Sequence, residues 1–195
     1  QRVRLGEMPQ PDPDLAADMY LLAEEFLTQA GYRHYEISNW ARPGRESLHN
    51  LTYWRNRPYL GVGAGAHSYL GQWRFHNIDS PHEYTRRLGD ASPPDASLDA
   101  LSPEALGRVP TVEDVETIEQ RLEMAETMML GLRLEEGVSL DGFAARFGRS
   151  LSSVYGEQIQ ELTSVGLLEQ RDGVLCLTGQ GRLLGNEVFL RFFGW

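Results

Sequence analysis

The segment His49-Asn50-Leu51-Thr52-Tyr53-Trp54 sets an imidazole four and five positions ahead of two large aromatic side chains. Neutral imidazole is a common axial ligand for haem iron, and flat rings suit a porphyrin face, so this segment offers a surface for haem. The competing reading is a histidine packed in a core beside tyrosine and tryptophan. Covalent haem attachment is excluded, because C-x-x-C-H is absent and the one cysteine, Cys176, is followed by Leu177 rather than proline.

A second candidate is Tyr59-Leu-Gly-Val-Gly-Ala-Gly-Ala-His-Ser-Tyr69, where Gly61, Gly63 and Gly65 clear side chains from one face of an extended segment. A flat ligand or another backbone can approach such a face. The spacing G-x-G-x-G is not the dinucleotide fingerprint G-x-G-x-x-G, and no helix start follows it. Along Tyr35-Glu36-Ile37-Ser38-Asn39, a strand alternation puts Tyr35, Ile37 and Asn39 on one face and Glu36 and Ser38 on the other. Glu36 is then either a binding position at a strand end or part of a solvated edge. The five histidines, His34, His49, His67, His76 and His82, lack the i, i+4 pairing of a helical zinc site.

Composition removes several classes of chemistry. The 195 residues hold 41% hydrophobic and 24% charged residues, which is ordinary globular usage. All 18 basic residues are arginine, excluding a lysine base, a Schiff base or a Walker lysine. A single cysteine cannot supply the thiolates of an iron-sulfur cluster. The net charge of -10 disfavours nucleic acid, which needs local positive excess. No apolar run approaches the length of a bilayer helix and residues 1–7 lack a signal's apolar region, so the expected location is the cytoplasm.

The elements that position these residues divide near Pro110. Residues 113–195 hold 7 Arg against 14 Asp and Glu, so most of the negative charge lies there. All histidines and ten of the 19 aromatic residues lie between Tyr32 and Tyr84. Residues 89–110, broken by Pro93, Pro94, Pro103 and Pro110, read as a linker between regions 1–110 and 111–195. In the first region, turns through Pro9, Pro11 and Pro13 lead to a helix with Leu15, Met19, Leu22 and Phe26 in register. Asp12 or Asp14 caps it and Gly31 ends it. Strands are expected at 32–38, 59–70 and 73–76. In the second region, Thr111 and Asp114 form a capping-box pattern ahead of Ile118, Leu122, Ala125, Met129 and Leu132 on one helical face. Helices at 140–147 and 151–165, a hairpin turning at Asp172-Gly173, and a helix over 179–193 complete a winged-helix order. The helix at 151–165 has no basic residue and carries Glu157 and Glu161, which argues against the DNA groove.

Four motifs, Tyr35-Glu-Ile-Ser-Asn39, Trp40-Ala-Arg-Pro-Gly44, Ser47-Leu-His-Asn-Leu-Thr-Tyr-Trp54 and the glycine segment 59–68, resemble the oxygen-independent coproporphyrinogen III oxidase-like radical S-adenosylmethionine (SAM) proteins. The resemblance is strongest to the haem chaperone branch, in which H-N-x-x-Y-W binds haem. Met128-Met-Leu-Gly-Leu-Arg-Leu134, Gly166-Leu-Leu168 and Leu177-Thr178-Gly-x-Gly181 resemble the same family's C-terminal domain.

The resemblance implies an α/β fold: the C-terminal portion of a partial (β/α) radical SAM barrel, then a mainly helical winged-helix-like domain. Family members carry C-x-x-x-C-x-x-C, whose cysteines hold a 4Fe-4S cluster that binds SAM; this sequence lacks that motif. The chain is therefore expected to be a C-terminal fragment that performs no radical chemistry by itself. The resemblance makes His49 the haem-iron ligand, with Asn50, Tyr53 and Trp54 around it. Gly61, Gly63, Gly65, Ala66 and His67 take the place of the SAM-contacting segment, although the oxidase branch has an aliphatic residue where His67 stands. The implied function is a haem chaperone that delivers haem to a respiratory enzyme and meets a membrane only through that client. The alternative is the oxidase itself, with Arg42, Arg45, Arg55, Arg57 and Arg74 as contacts for an acidic porphyrin. A third reading is a non-enzymatic winged helix that docks protein or binds DNA.

Overall fold

The computed structural model describes residues 6, 9, 12–90 and 102–194. They pack as two compact units, one built from residues up to 51 together with 131–194 and the other from 52–130. The boundary expected at 110 falls inside the second unit. Residues 91–101 of the expected linker, like most of the proline-rich start, lie outside the described residues, while its second half holds a short helix at Pro103–Leu106.

In the first unit, α1 (Pro13–Gln29) starts as expected: the Asp12 carboxylate accepts the backbone N–H groups of Asp14 and Leu15, and Pro13 occupies the first turn. Gly31, at φ +81°, follows the last turn. The apolar stripe is present but faces outward, with Leu15, Met19, Leu22 and Phe26 all 57–69% exposed.

After α1 come β1 (Arg33–Glu36) and β2 (Asn39–Ala41), an antiparallel pair. The single strand expected over 32–38 does not form. The buried Glu36 carboxylate accepts the Ser38 N–H at 3.1 Å and the Asn39 side-chain amide, which turns the chain at Ile37 and Ser38. That turn also ends the side-chain alternation expected across Tyr35–Asn39. The Tyr20 hydroxyl of α1 donates to the Ile37 carbonyl at 3.0 Å.

Tyr20 carries a pH prediction. Burial, more than any neighbouring charge, pushes its pKa up to about 12 from the usual 10.0. The unfolded chain therefore loses this proton at lower pH than the folded one. The stability that Tyr20 contributes is complete below pH 10 and falls as the pH rises toward 12. Denaturant midpoints measured across that window should fall less steeply in Tyr20→Phe, whose ring cannot ionise.

The rest of the first unit is the winged-helix order. Its sheet runs β6 (Val138–Ser139), β8 (Val174–Leu177), β7 (Leu168–Arg171), all antiparallel. Helices α6 (Leu140–Phe147) and α7 (Leu151–Ser164) start at Ser139 and Ser150, whose hydroxyls accept the N–H groups of Gly142 and Ser153. Gly148 closes α6 at φ +68°. Asp172 and Gly173 both take positive φ, 49° and 77°, as a two-residue hairpin turn of type I′ requires.

The helix expected over 179–193 is instead α8 (Gly179–Leu183) and α9 (Gly185–Leu190). The break lies at Leu184 and Gly185. Even a methyl group on Gly185 would lie about 3.1–3.2 Å from the side chains of Ile37 and Phe189, so the chain kinks where it packs most closely.

The second unit contains β3 (His67–Leu70), β4 (Trp73–Asn77), α3 (Pro81–Gly89), α4 (Pro103–Leu106), β5 (Val112–Thr117) and α5 (Gln120–Gly131), whose last residue joins the first unit. The short helix α2 (Leu48–Trp54) crosses from one unit to the other. The strands form an antiparallel sheet in the order β3-β4-β5. Every strand pairing among the described residues is antiparallel.

Two sequence expectations change here. Residues 112–117 form β5, not the first turn of a capped helix. Val112 and Val115 pair with Asn77 and Phe75 of β4, while the buried Thr111 hydroxyl donates to Asn77 Oδ1 at 3.1 Å rather than capping. Asp114 takes φ +50° where the register shifts, a β-bulge. The extended segment expected over 59–70 is also shorter. Only Tyr59 and 67–70 are paired, with Tyr59 and Tyr69 exchanging N–H···O bonds of 2.8 and 2.9 Å. Between them, Gly63 at φ +108° and Gly65 at φ +68° fold residues 61–66 into a loop.

Candidate functional site

Helix α2 carries the histidine motif. Ser47 Oγ accepts the Asn50 N–H at 3.3 Å and the Ser47 carbonyl accepts the Leu51 N–H at 3.0 Å, so the serine ahead of the motif starts the helix. Leu51 is buried and anchors the helix, whereas His49 and its neighbour Leu48 are exposed. That exposure removes the core-packing reading of His49. One helical turn on, Tyr53 shares the face of His49 by its i, i+4 spacing. Tyr53 is half-buried and meets Tyr59 edge to face at 4.5 Å. Asn50 and Trp54 are also half-buried.

A haem-iron ligand must present an imidazole nitrogen that a wide flat macrocycle can reach. An exposed histidine on a helix, with an apolar leucine beside it and aromatic groups on the following turn, meets that requirement. The iron-sulfur cluster finds no comparable set. Cys176 is buried in β8, where burial pushes its thiol pKa up, and among the described residues no three His, Cys, Asp or Glu side chains are arranged to hold a metal.

The glycine loop is shaped by the chain itself. A Cβ on Gly61 would lie 2.2 Å from the His67 carbonyl oxygen, so that position admits no side chain. The buried Asn77 amide donates to the Gly63 carbonyl at 3.0 Å, and the Gly65 N–H donates to the Ile78 carbonyl at 2.9 Å. Gly61, Gly63 and Gly65 are thus accounted for by close packing and positive φ, without a bound cofactor. Ala66 is half-buried, and its carbonyl accepts the Asn77 N–H at 2.9 Å. The loop presents Leu60 and Val62 to solvent.

The candidate arginines separate. Arg74 makes a two-pronged ion pair with Glu126 at 3.1 and 2.7 Å and lies over the Tyr69 ring, so its fork is already engaged. Arg42 lies over Tyr32, and Arg45 and Arg57 are exposed.

One cluster was not foreseen. His34 stacks on Trp40 at 4.5 Å, its Nε2 lies 3.2 Å from the Tyr20 hydroxyl, and it lines a small cavity with Glu36, Arg133, Glu135 and Arg182. The sequence signal was available only in part: His34 and Glu36 are two apart, the spacing of one face in a regular strand, but the register shift between them could not be read locally.

Comparison with known proteins defines the class first. The HemN C-terminal domain family matches residues 118–184. The solved structure of coproporphyrinogen III oxidase (HemN) from Escherichia coli, described as a radical SAM enzyme, superposes with a TM-score of 0.62 at 16% identity. It covers 93% of this chain and 42% of that one, and establishes likeness of fold. Heme chaperone HemW of Bacillus subtilis is 35% identical over 97% of this chain and 45% of its own length. Heme chaperone HemW of Lactococcus lactis is 37% identical over 98% and 45%. The chain thus spans less than half the length of these curated relatives. It is similar to HemN- and HemW-like radical SAM proteins, and its residues 118–184 match the HemN C-terminal domain.

Proposed function

We propose that this chain provides the haem-contacting surface of a radical SAM haem chaperone. His49 is the iron ligand, and Asn50, Tyr53 and Trp54 shape its surroundings on α2. The observation that carries the reading is the exposure of His49 on a helix whose next turn is aromatic, in a chain similar over nearly its whole length to heme chaperones HemW. Haem would supply an iron that the His49 imidazole could ligate. His49 is exposed on the helix, and Tyr53 one turn on packs against Tyr59, so an aromatic surface lies beside the candidate ligand.

The 4Fe-4S cluster of radical SAM relatives would need cysteines that this chain does not contain, whereas Gly61, Gly63, Gly65, Ala66 and His67 are its candidate SAM-contacting segment. The haem is passed to a haem-requiring respiratory enzyme. Among the described residues no helix is long and apolar enough to cross a membrane; the reading makes the chaperone cytoplasmic, meeting a membrane only through its client. Nucleic acid has no role in this reading, since α7 presents Glu157 and Glu161 and no basic residue. The oxidase reading is weaker, because Arg74 is committed to Glu126.

The test is spectroscopic. Haem added to the protein should give a Soret band shifted from free haem, and His49→Ala should lose that shift while keeping its far-UV circular dichroism. Identical Soret bands in the two proteins reject His49 as the ligand.

A further inference from the structure

Outside the α2 motif, the second unit brings two more imidazoles together. His67 on β3 and His76 on β4 are directly paired across the antiparallel ladder, and their rings lie 5.1 Å apart, 25° from parallel. Directly opposed residues share a sheet face, with Cβ atoms about 4.5–5.5 Å apart. His67 is exposed and His76 half-buried, so the pair opens to solvent. Both backbones are held: the Asn77 N–H beside His76 donates to the Ala66 carbonyl beside His67, and Gly61 packs against the His67 carbonyl.

We propose that His67 and His76 form a two-imidazole site for a divalent first-row transition ion of the zinc class. Imidazole is a borderline ligand suited to zinc, nickel and copper, and it binds zinc at about 2.0–2.1 Å. Rings on opposed strand residues converge on one ion by rotating about their side-chain bonds, with no backbone movement. The nearest carboxylate in the row is Glu113, the β5 partner of His76, but it faces Arg87 at 3.9 Å, and Arg87 is also paired with Glu83. The ion is therefore held by two protein ligands, and water completes its shell. A site with fewer than three protein ligands captures an ion rather than building a closed structural centre. The site shares no residue with the α2 motif, so it stands or falls separately from haem binding by His49; it does share His67 with the candidate SAM-contacting segment, where the ion and that cofactor would exclude one another.

Calorimetric titration of the intact chain with zinc chloride near neutral pH should show one equivalent bound. His67→Ala and His76→Ala should each weaken that binding by about tenfold or more, and His49→Ala should leave it unchanged. The ring proton resonances of His67 and His76 should move together as zinc is added. Because β4 is the central strand of its sheet, His76→Gln provides a second variant should His76→Ala fold poorly. Zinc uptake that survives loss of both imidazoles, no uptake at one equivalent, or zinc-induced shifts confined to other histidines would overturn the proposal.

Discussion

Replacing Gly137 by alanine is expected to destabilise the protein by about 3 kcal/mol, the sum of a left-handed backbone that costs a non-glycine residue about 1–2 kcal/mol and an overpacked contact of about 1–3 kcal/mol. Gly137 sits at φ +66° in the turn that leads into β6, with its N–H donated to the Leu134 carbonyl at 3.0 Å. A Cβ there would lie 2.3 Å from the Leu175 carbonyl oxygen and 2.6 Å from Cys176 Sγ. Both atoms belong to β8, the central strand of the winged-helix sheet, and the oxygen is backbone, so no rotamer change relieves the contact. The strand pair β6·β8, joined at Val138 and Leu175, has to separate. Urea unfolding followed by circular dichroism should show a lowered midpoint. A midpoint within experimental error of the parent protein would contradict the packing described for this turn.

Phe192→Ala should cost about 3–5 kcal/mol, the range for deleting a buried aromatic side chain and leaving its cavity. Phe192 is fully buried, and its ring meets Tyr155 edge to face at 5.2 Å, 86° apart. It follows α9, whose Val188 and Phe189 are buried as well. Tyr155 sits where α7 departs from helical geometry, at φ -126° and ψ 22°, so the helix bends at the residue that receives this ring. Phe192→Leu, which keeps most of the apolar volume, should lose much less. Equal losses in the two variants would show that the aromatic pair, rather than cavity volume, dominates.

The features legible in the sequence were those whose cause is local. Asp12 is a capping residue next to the helix it starts, the helices at 140–147 and 151–165 carry their apolar spacing within their own spans, and Asp172-Gly173 is a turn whose geometry two residues dictate. The histidine motif was legible as composition and spacing, and the resemblance it carries led to the same relatives that comparison finds. The misread segments were those whose cause lies far along the chain. Val112–Thr117 resembles a capped helix start until β4 supplies a pairing edge. Residues 61–66 resemble a strand until Asn77 and Ile78 take up the carbonyl and N–H groups of the loop. Leu15, Met19, Leu22 and Phe26 were legible as a stripe, but periodicity does not say what the stripe faces.

The order of residues alone therefore determined which stretches can be helical, where they begin, and that one imidazole stands among aromatic groups with no thiolate set for a cluster. Tertiary structure decided that His49 is exposed while Glu36 is buried, and that His67 meets His76. Capping and turn geometry are settled within a few residues, whereas exposure and cross-strand register depend on partners brought together only when distant segments pack.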